Sequence, residues 1–319
     1  TFEKTSSFSN YSPAFLELKQ RKEKERLTLS PANYNPLDLS ITLEELDFAL
    51  TNCRNSEPGP DDISFLLLKK LPSSGKLYLL QAYNALCLTG SYPAIWSTAL
   101  IIPIAKPGKP KTEATSYRPI SLTCTMCKLF EKILNKRLTW YLESQNLLHP
   151  TQCGFRNSRS TADNLLTLET EIHDAFADGQ YVLAIFFDLK KAFDTAWRFQ
   201  ILKKLHTYGI QGKLFMFISN FLTNRSFRVT VNGCTSTERP LETGTPQGSV
   251  LSTTLFNIAI NDIVSDIQSP VKPLLYADDL TLYIKGTNLS SMTHLMQNAI
   301  DTVENWSTLT GFTFSSEKT

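Results

Sequence analysis

Residues 272–284 read KPLLYADDLTLYI: two apolar runs, Lys272 to Tyr276 and Leu280 to Ile284, joined through Ala277-Asp278-Asp279. Each run has the length and the aliphatic and aromatic content of a short strand, so the segment predicts a strand-turn-strand with adjacent carboxylates at its tip. Two ionised aspartates 4 Å apart repel by up to about 4 kcal/mol at an effective dielectric of 20, so a cation is expected to compensate them. Asp188 has a comparable setting. It closes the run Tyr181 to Phe187 (YVLAIFF), which reads as a fully buried strand. A carboxylate at the mouth of a core is costly unless it is paired or bound to metal. Magnesium suits such acids, because it takes a few carboxylates together with substrate phosphates and water.

Adjacent aspartates alone are weak evidence, and the chain supplies its own control. Asp61-Asp62 follows Pro58-Gly59-Pro60 and opens an apolar helical pattern, which reads as a turn and helix N-cap. Asp194 likewise reads as the cap of a helix from Thr195, outside the metal set. Between Asp188 and the acidic pair lies Gly244-Thr245-Pro246-Gln247-Gly248-Ser249. Such a small-residue loop opening a helix can bring backbone N–H groups close to a ligand.

Working outward, Val250 to Ile263 and Leu289 to Leu309 carry helical periodicity, as do Lys128 to Glu143, Thr161 to Ala177, Thr195 to His206 and Lys213 to Leu222. Arg225 to Val231 followed by Asn232-Gly233 is a hairpin signal. Ala99 to Ala105 reads as a buried strand. Thr42 with Glu45 forms a capping box ahead of a helix, and helical patterns recur at Ile63 to Leu71 and Tyr78 to Leu88. Leu16 to Leu29 alternates in charge like an exposed helix, and Ser30 to Leu39, with Pro31 and Pro36, reads as a linker. The mixture is α+β, with strands concentrated in the second half.

The 319 residues are 42% hydrophobic and only 19% charged, with net charge +2, enough for one large globular unit or two subdomains. Net charge names no partner, but residues 101–137 hold eight Lys or Arg against two Glu; alone, such a run is a solvated face. The six cysteines are scattered, and Cys124 and Cys127 lack a second pair to complete a zinc set, so they read as buried thiols. No apolar run reaches the length of a membrane span. A soluble, intracellular protein without a membrane partner is expected. The start at Thr1 rather than Met suggests a fragment.

Taken in order, Asp188 with Phe193 five residues on, then Pro246-Gln247-Gly248, then Tyr276-Ala277-Asp278-Asp279, resemble the palm motifs of reverse transcriptases. Pro58-Gly59-Pro60-Asp61, Tyr117-Arg118-Pro119-Ile120-Ser121-Leu122, Gly154-Phe155-Arg156 with Ser160-Thr161, and Phe187 to Asp194 resemble the non-LTR (LINE-type) retrotransposon branch, including its jockey-like members. The resemblance covers about residues 45 to 319 and leaves the first 45 unplaced.

The resemblance implies a right-hand polymerase: residues 1–45 as an N-terminal extension and linker, 46–180 as fingers with 199–243 contributing, and 181–198 with 244–319 as palm. It implies an RNA-directed DNA polymerase that extends a DNA primer with dNTPs on an RNA template. Two Mg2+ ions, with Mn2+ as substitute, would be held by Asp188 and Asp278 as bridging ligands, Asp279 as the weaker one, and the Leu189 carbonyl; one would activate the primer 3′-hydroxyl and the other hold the triphosphate. Lys106 and Arg118 would grip the triphosphate, and Gln247 and Gly248 would line the nucleotide. Phe193 would stack under the sugar and exclude a 2′-hydroxyl. Arg156 and Arg159 are candidate template contacts, and Lys318 a candidate general acid. The thumb and an endonuclease would lie elsewhere in a polyprotein, acting in the nucleus and in a cytoplasmic ribonucleoprotein. Alternatives are another template-directed polymerase, such as an intron-encoded reverse transcriptase or an RNA-making one, and a decayed or domesticated copy that only binds RNA.

Overall fold

In the computed structural model, which describes residues 2–27, 35–113 and 116–317, the acidic segment forms β7 (Lys272–Tyr276) and β8 (Asp279–Gly286) around a two-residue turn of Ala277 and Asp278. β8 also pairs antiparallel with β3 (Tyr181–Asp188), giving a three-stranded sheet of order β3-β8-β7. The expected full burial of β3 is corrected by the structure. Only its Phe187 is buried, and Tyr181 and Phe186 are 55% and 58% exposed. β3 lies at the edge of its sheet, and a continuous apolar run does not by itself tell an edge strand from a central one.

A second sheet joins distant parts of the chain. β1 (Thr98–Ala105) runs antiparallel to β2 (Tyr117–Leu122) and parallel to β4 (Ser226–Val231), with β5 (Cys234–Thr235) and β6 (Arg239–Pro240) beside β4. In the β4–β5 hairpin both Asn232 and Gly233 have positive φ, 50° and 78°, the twist a two-residue turn requires. Pro119 lies within β2 and masks its strand pattern in the sequence; the proline is tolerated because β2 is an edge strand.

The core is mostly helical. α5 (Thr125–Ser144), α8 (Arg198–Thr207), α9 (Lys213–Leu222) and α10 (Val250–Ile260) bury Phe130, Leu138, Ile201, Leu205, Phe217 and Phe256 completely or nearly so. α6 (Thr161–Ala177) and α11 (Leu289–Thr310) both pack on the β3-β8-β7 sheet. α2 (Leu43–Thr51) starts in the expected Thr42–Glu45 capping box, followed by α3 (Phe65–Lys69) and α4 (Ser73–Thr89). Among the described residues of the charge-alternating N-terminal segment, the helix spans Pro13–Lys22 (α1), where Ser12 caps and Pro13 fixes the first turn; the end of that segment and the first half of the expected linker, residues 28–34, lie outside the described residues.

Two capping assignments change partners. Asp61 does not cap its own helix; its Oδ2 accepts from the Thr125 and Met126 N–H groups (2.9 and 3.3 Å) and from Cys124 Sγ (2.9 Å), so it caps α5. Asp194 lies inside a short helix, α7 (Ala192–Thr195), rather than ahead of one. The helix expected from Thr195 breaks at Ala196-Trp197 because the Ala196 carbonyl accepts from Gly244 N–H (3.1 Å) instead. Among the described residues, no helix is long and apolar enough to cross a membrane.

Candidate active site

The register of the first sheet sets the acids. Asp188 is the direct cross-strand partner of Asp279, and such partners in an antiparallel pair project to the same face with Cα atoms about 4.5–5.5 Å apart. Asp278 occupies the turn itself. Asp188 and Asp278 are half-buried and Asp279 is exposed. The turn is held in a conformation that costs energy: Ala277 has φ +53° although it carries a side chain. Gln152, 2% exposed, pins it, its Oε1 accepting from Ala277 N–H (2.9 Å) and its Nε2 donating to the Ala277 carbonyl (3.3 Å). Gly154 lies so close that a Cβ there would meet Ala277 N at 2.2 Å. A glycine is therefore required next to the acidic turn.

The motif Gly154-Phe155-Arg156 thus backs the turn, and Arg156 is not disposed as a template contact. Its Nε and Nη2 both donate to the Glu143 carboxylate, its Nη1 donates to the His149 and Gln152 carbonyls, and its side chain is 7% exposed. Its fork of donors is committed to holding the Gln152 segment. Arg159 donates to the Pro150 carbonyl. Lys318 lies outside the described residues.

At the other edge, the Asp188 carbonyl accepts from Ser315 N–H, and Lys190 N–H donates to the Thr313 carbonyl, both at 2.8 Å. These bonds close an antiparallel bridge between Leu189 and Phe314, which directs the Leu189 carbonyl away from Phe314. The groups expected as metal donors, three carboxylates and the Leu189 carbonyl, all offer hard oxygen. Among the described residues, no group of three or more His, Cys, Asp or Glu is arranged so that it could by itself hold a metal ion. Carboxylate and carbonyl oxygens are the donor types that magnesium takes.

The residues expected to line the nucleotide lie just after β1, on β2 and α7, and in the loop before α10. Phe193 stacks on Phe256 of α10 (centroids 4.3 Å apart, 21° between planes) and meets Phe155 edge-on, leaving the ring half-buried. Gly248 has φ +98°, and a Cβ there would lie 2.5 Å from the Ser121 carbonyl, so the Pro246-Gln247-Gly248 loop rests directly on β2. Lys106 extends the β1–β2 ladder through its N–H to Ser116 O (2.8 Å). Arg118 faces Ile104 in register. By strand alternation Lys106 and Arg118 share one face of the ribbon.

The loop differs from its sequence reading in one respect. The Val250 and Leu251 N–H groups opening α10 do not await a phosphate; they donate to Glu131 Oε2 (2.8 and 3.2 Å), as does the Ser249 hydroxyl. Glu131, on α5, is completely buried and its Oε1 accepts from Cys127 Sγ (3.0 Å). A signal for it exists in the sequence: Glu131 shares a helical face with Cys127, Leu134 and Leu138, an acid on an apolar stripe. Glu131→Ala is expected to destabilise the fold by about 3 kcal/mol, since it strands several buried donors at once; denaturant unfolding checks this, and a loss below 1 kcal/mol would contradict it. The Cys124 thiol is pushed up to about 12 and the Cys127 thiol well above its usual range, both by burial, as expected of inert thiols.

Asp194, expected as a cap, accepts from Gln247 Nε2 at 2.9 Å. Burial raises its carboxyl from the usual range to about 6. The folded chain then holds this proton more tightly than the unfolded chain. Stability from this group is fullest below the unfolded pKa and falls as pH rises through about 6. Asp194→Asn is therefore expected to raise stability at pH 7.5 by up to about 3 kcal/mol, a gain vanishing below about pH 4. Thermal unfolding across pH reads this directly; a variant less stable than wild type at pH 7.5 contradicts it.

Strand-turn-strand acids opposite a third aspartate, beside a Phe and a Pro-Gln-Gly loop, are the arrangement of a template-directed polymerase. A family model for reverse transcriptase (RNA-dependent DNA polymerase) matches residues 104–319, and the chain belongs to that family. It is 32% identical over 85% of its length to a probable RNA-directed DNA polymerase from transposon BS of Drosophila melanogaster, covering 31% of that protein. It is 30% identical over 95% of its length to the RNA-directed DNA polymerase from mobile element jockey of Drosophila funebris, covering 34%. These similarities put it in the non-LTR, LINE-type branch. The chain spans about a third of the length of these curated relatives. Among solved structures, apo telomerase from Candida tropicalis truncated from its C-terminal domain has a TM-score of 0.49 at 13% identity, covering 76% of this chain and 56% of that one.

Proposed function

We propose that this chain is the polymerase core of a retrotransposon protein, extending a DNA primer with dNTPs on an RNA template. The observation that carries the reading is the register that sets Asp188 opposite Asp279, with Asp278 in the turn between the paired strands. Asp188, Asp278, Asp279 and the Leu189 carbonyl would hold the divalent ions, Mg2+ or Mn2+. When bound, such ions stabilise charge on the attacking and leaving oxygens.

Around them, the Phe193 ring, packed against Phe256, bounds the sugar and excludes a 2′-hydroxyl. Lys106 and Arg118 neutralise the triphosphate from the β1–β2 ribbon. Residues 46–180 with 199–243 serve as fingers, and 181–198 with 244–319 as palm; β4, from the second of the finger segments, pairs with β1 from the first. The thumb and an endonuclease are supplied by other parts of a polyprotein, and the protein acts on its RNA in the nucleus and in a cytoplasmic particle.

The test is a DNA primer annealed to an RNA template. Primer growth that requires dNTPs and magnesium supports the reading. Tight RNA binding without any growth supports a copy that only binds RNA.

A further inference from the structure

The segment Phe2–Tyr11 and the Asp194 carboxylate have no part in the reading above, yet both hold the loop that carries Gln247. That loop is zipped onto α7 and the residue after it. Thr243 Oγ1 donates to Asp194 O (2.7 Å), Gly244 N to Ala196 O (3.1 Å), Thr245 N to Phe193 O (2.9 Å) and Gln247 Nε2 to Asp194 Oδ1 (2.9 Å). The gate ring and the Pro-Gln-Gly loop are thereby locked to one another. Arg198 braces the same loop through its Nε to Gly244 O (2.7 Å) and its Nη2 to Leu241 O and Thr243 O (2.8 and 3.1 Å).

The N-terminal segment closes the remaining side. The Ser6 carbonyl accepts from Glu242 and Thr243 N–H (3.0 and 3.1 Å), Phe8 N–H donates to Glu242 Oε2 (2.9 Å), and Tyr11 OH donates to the Thr195 carbonyl (2.7 Å). Ser6 is 2% exposed, and its hydroxyl makes a long contact, 3.4 Å, with the same Asp194 Oδ1 that takes Gln247.

The chemistry of the Asp194–Gln247 pair is directional. An ionised carboxylate only accepts, whereas a side-chain amide presents a donor at one end and an acceptor at the other. An ionised Asp194 therefore takes the NH2 end of Gln247 and leaves the carbonyl oxygen of that amide for the nucleotide. We propose that Asp194 is the positioning residue of the nucleotide site, fixing which end of the Gln247 amide meets the incoming dNTP, and that the arm Phe2–Tyr11 holds this pair in place. The proposal rests on the reading of Gln247 as a nucleotide contact. It gives the N-terminal arm a role in substrate binding.

The experiment is steady-state primer extension by the full chain, varying dNTP concentration. Asp194→Ala is expected to raise KM for dNTPs about tenfold, the weight of one hydrogen bond to a charged group, with kcat within about threefold of wild type. Asp194→Asn, whose amide can still offer an acceptor, is expected to fall between the two. Tyr11→Phe, which loosens the arm without touching Asp194 or Gln247, is expected to raise KM by about threefold. Gln247→Ala is expected to raise KM at least as much as Asp194→Ala, and the double variant to be no worse than Gln247→Ala alone.

Additive effects, or a fall in kcat and melting temperature at constant KM, would mean that Asp194 only stabilises the fold and would overturn the proposal. If Gln247→Ala raises KM and Asp194→Ala does not, the proposal fails while the nucleotide site stands. If Gln247→Ala itself leaves KM unchanged, the nucleotide reading of the loop falls and the proposal with it.

Discussion

Asp278→Asn and Asp188→Asn are each expected to lower kcat for primer extension by roughly 10³-fold or more, because each removes a carboxylate that would hold the divalent ions that balance transition-state charge. The fold should survive. Asp188 and Asp278 are half-buried and Asp279 is exposed, and removing one of three neighbouring negative charges relieves repulsion rather than creating it. Melting temperatures equal to or above wild type are therefore expected, with RNA binding retained. Asp279→Asn is a sharper case. The sequence motif ranks Asp279 below Asp278, while the backbone register makes Asp279 the direct partner of Asp188. A loss with Asp279→Asn smaller than with Asp278→Asn is expected from the motif; an equal loss would mean that the cross-strand register governs the metal set. Retention of extension in Asp278→Asn would refute the assignment of the acids.

The second large effect concerns sugar choice. Phe193→Ala is expected to cut the preference for dNTPs over NTPs by roughly 100-fold, about 2.7 kcal/mol of discrimination, chiefly by admitting NTPs. The ring has the means to act as a rigid stop: it is stacked at 4.3 Å on Phe256, itself fully buried on α10, and braced edge-on by Phe155. The same packing means that the alanine variant loses roughly 1–3 kcal/mol of stability. The comparison is therefore made on the ratio of kcat/KM values for the two nucleotides, which cancels the active fraction. A Phe193→Ala enzyme with unchanged discrimination would assign the ring to the core alone.

Local features were the legible part of this chain. The acidic hairpin, the Asn232-Gly233 turn, the Thr42–Glu45 box and the helices at Thr161–Ala177 and Lys213–Leu222 each announce themselves through turn chemistry or periodicity confined to a few residues. The features that position the site depend on contacts between distant residues, and no local pattern encodes them. Gln152 supports Ala277 across 125 residues, Glu131 caps a helix 119 residues away, and Asp194 meets Gln247 across 53. Arg156 shows the converse: a basic residue beside a motif invites a phosphate, but burial against Glu143 gives it structural work. The edge position of β3 and the strand β2 were hidden for related reasons. A strand's neighbours are set by the sheet, and Pro119 disguises an edge strand that tolerates it.

The most direct measurement is extension of one DNA primer on one RNA template by the wild-type chain, with dNTPs and NTPs supplied separately at equal concentration in magnesium. Rapid growth with dNTPs and little with NTPs, abolished by Asp278→Asn, is the result expected of a reverse transcriptase with Phe193 as its gate. A preference for NTPs, or equal growth with both, would contradict it.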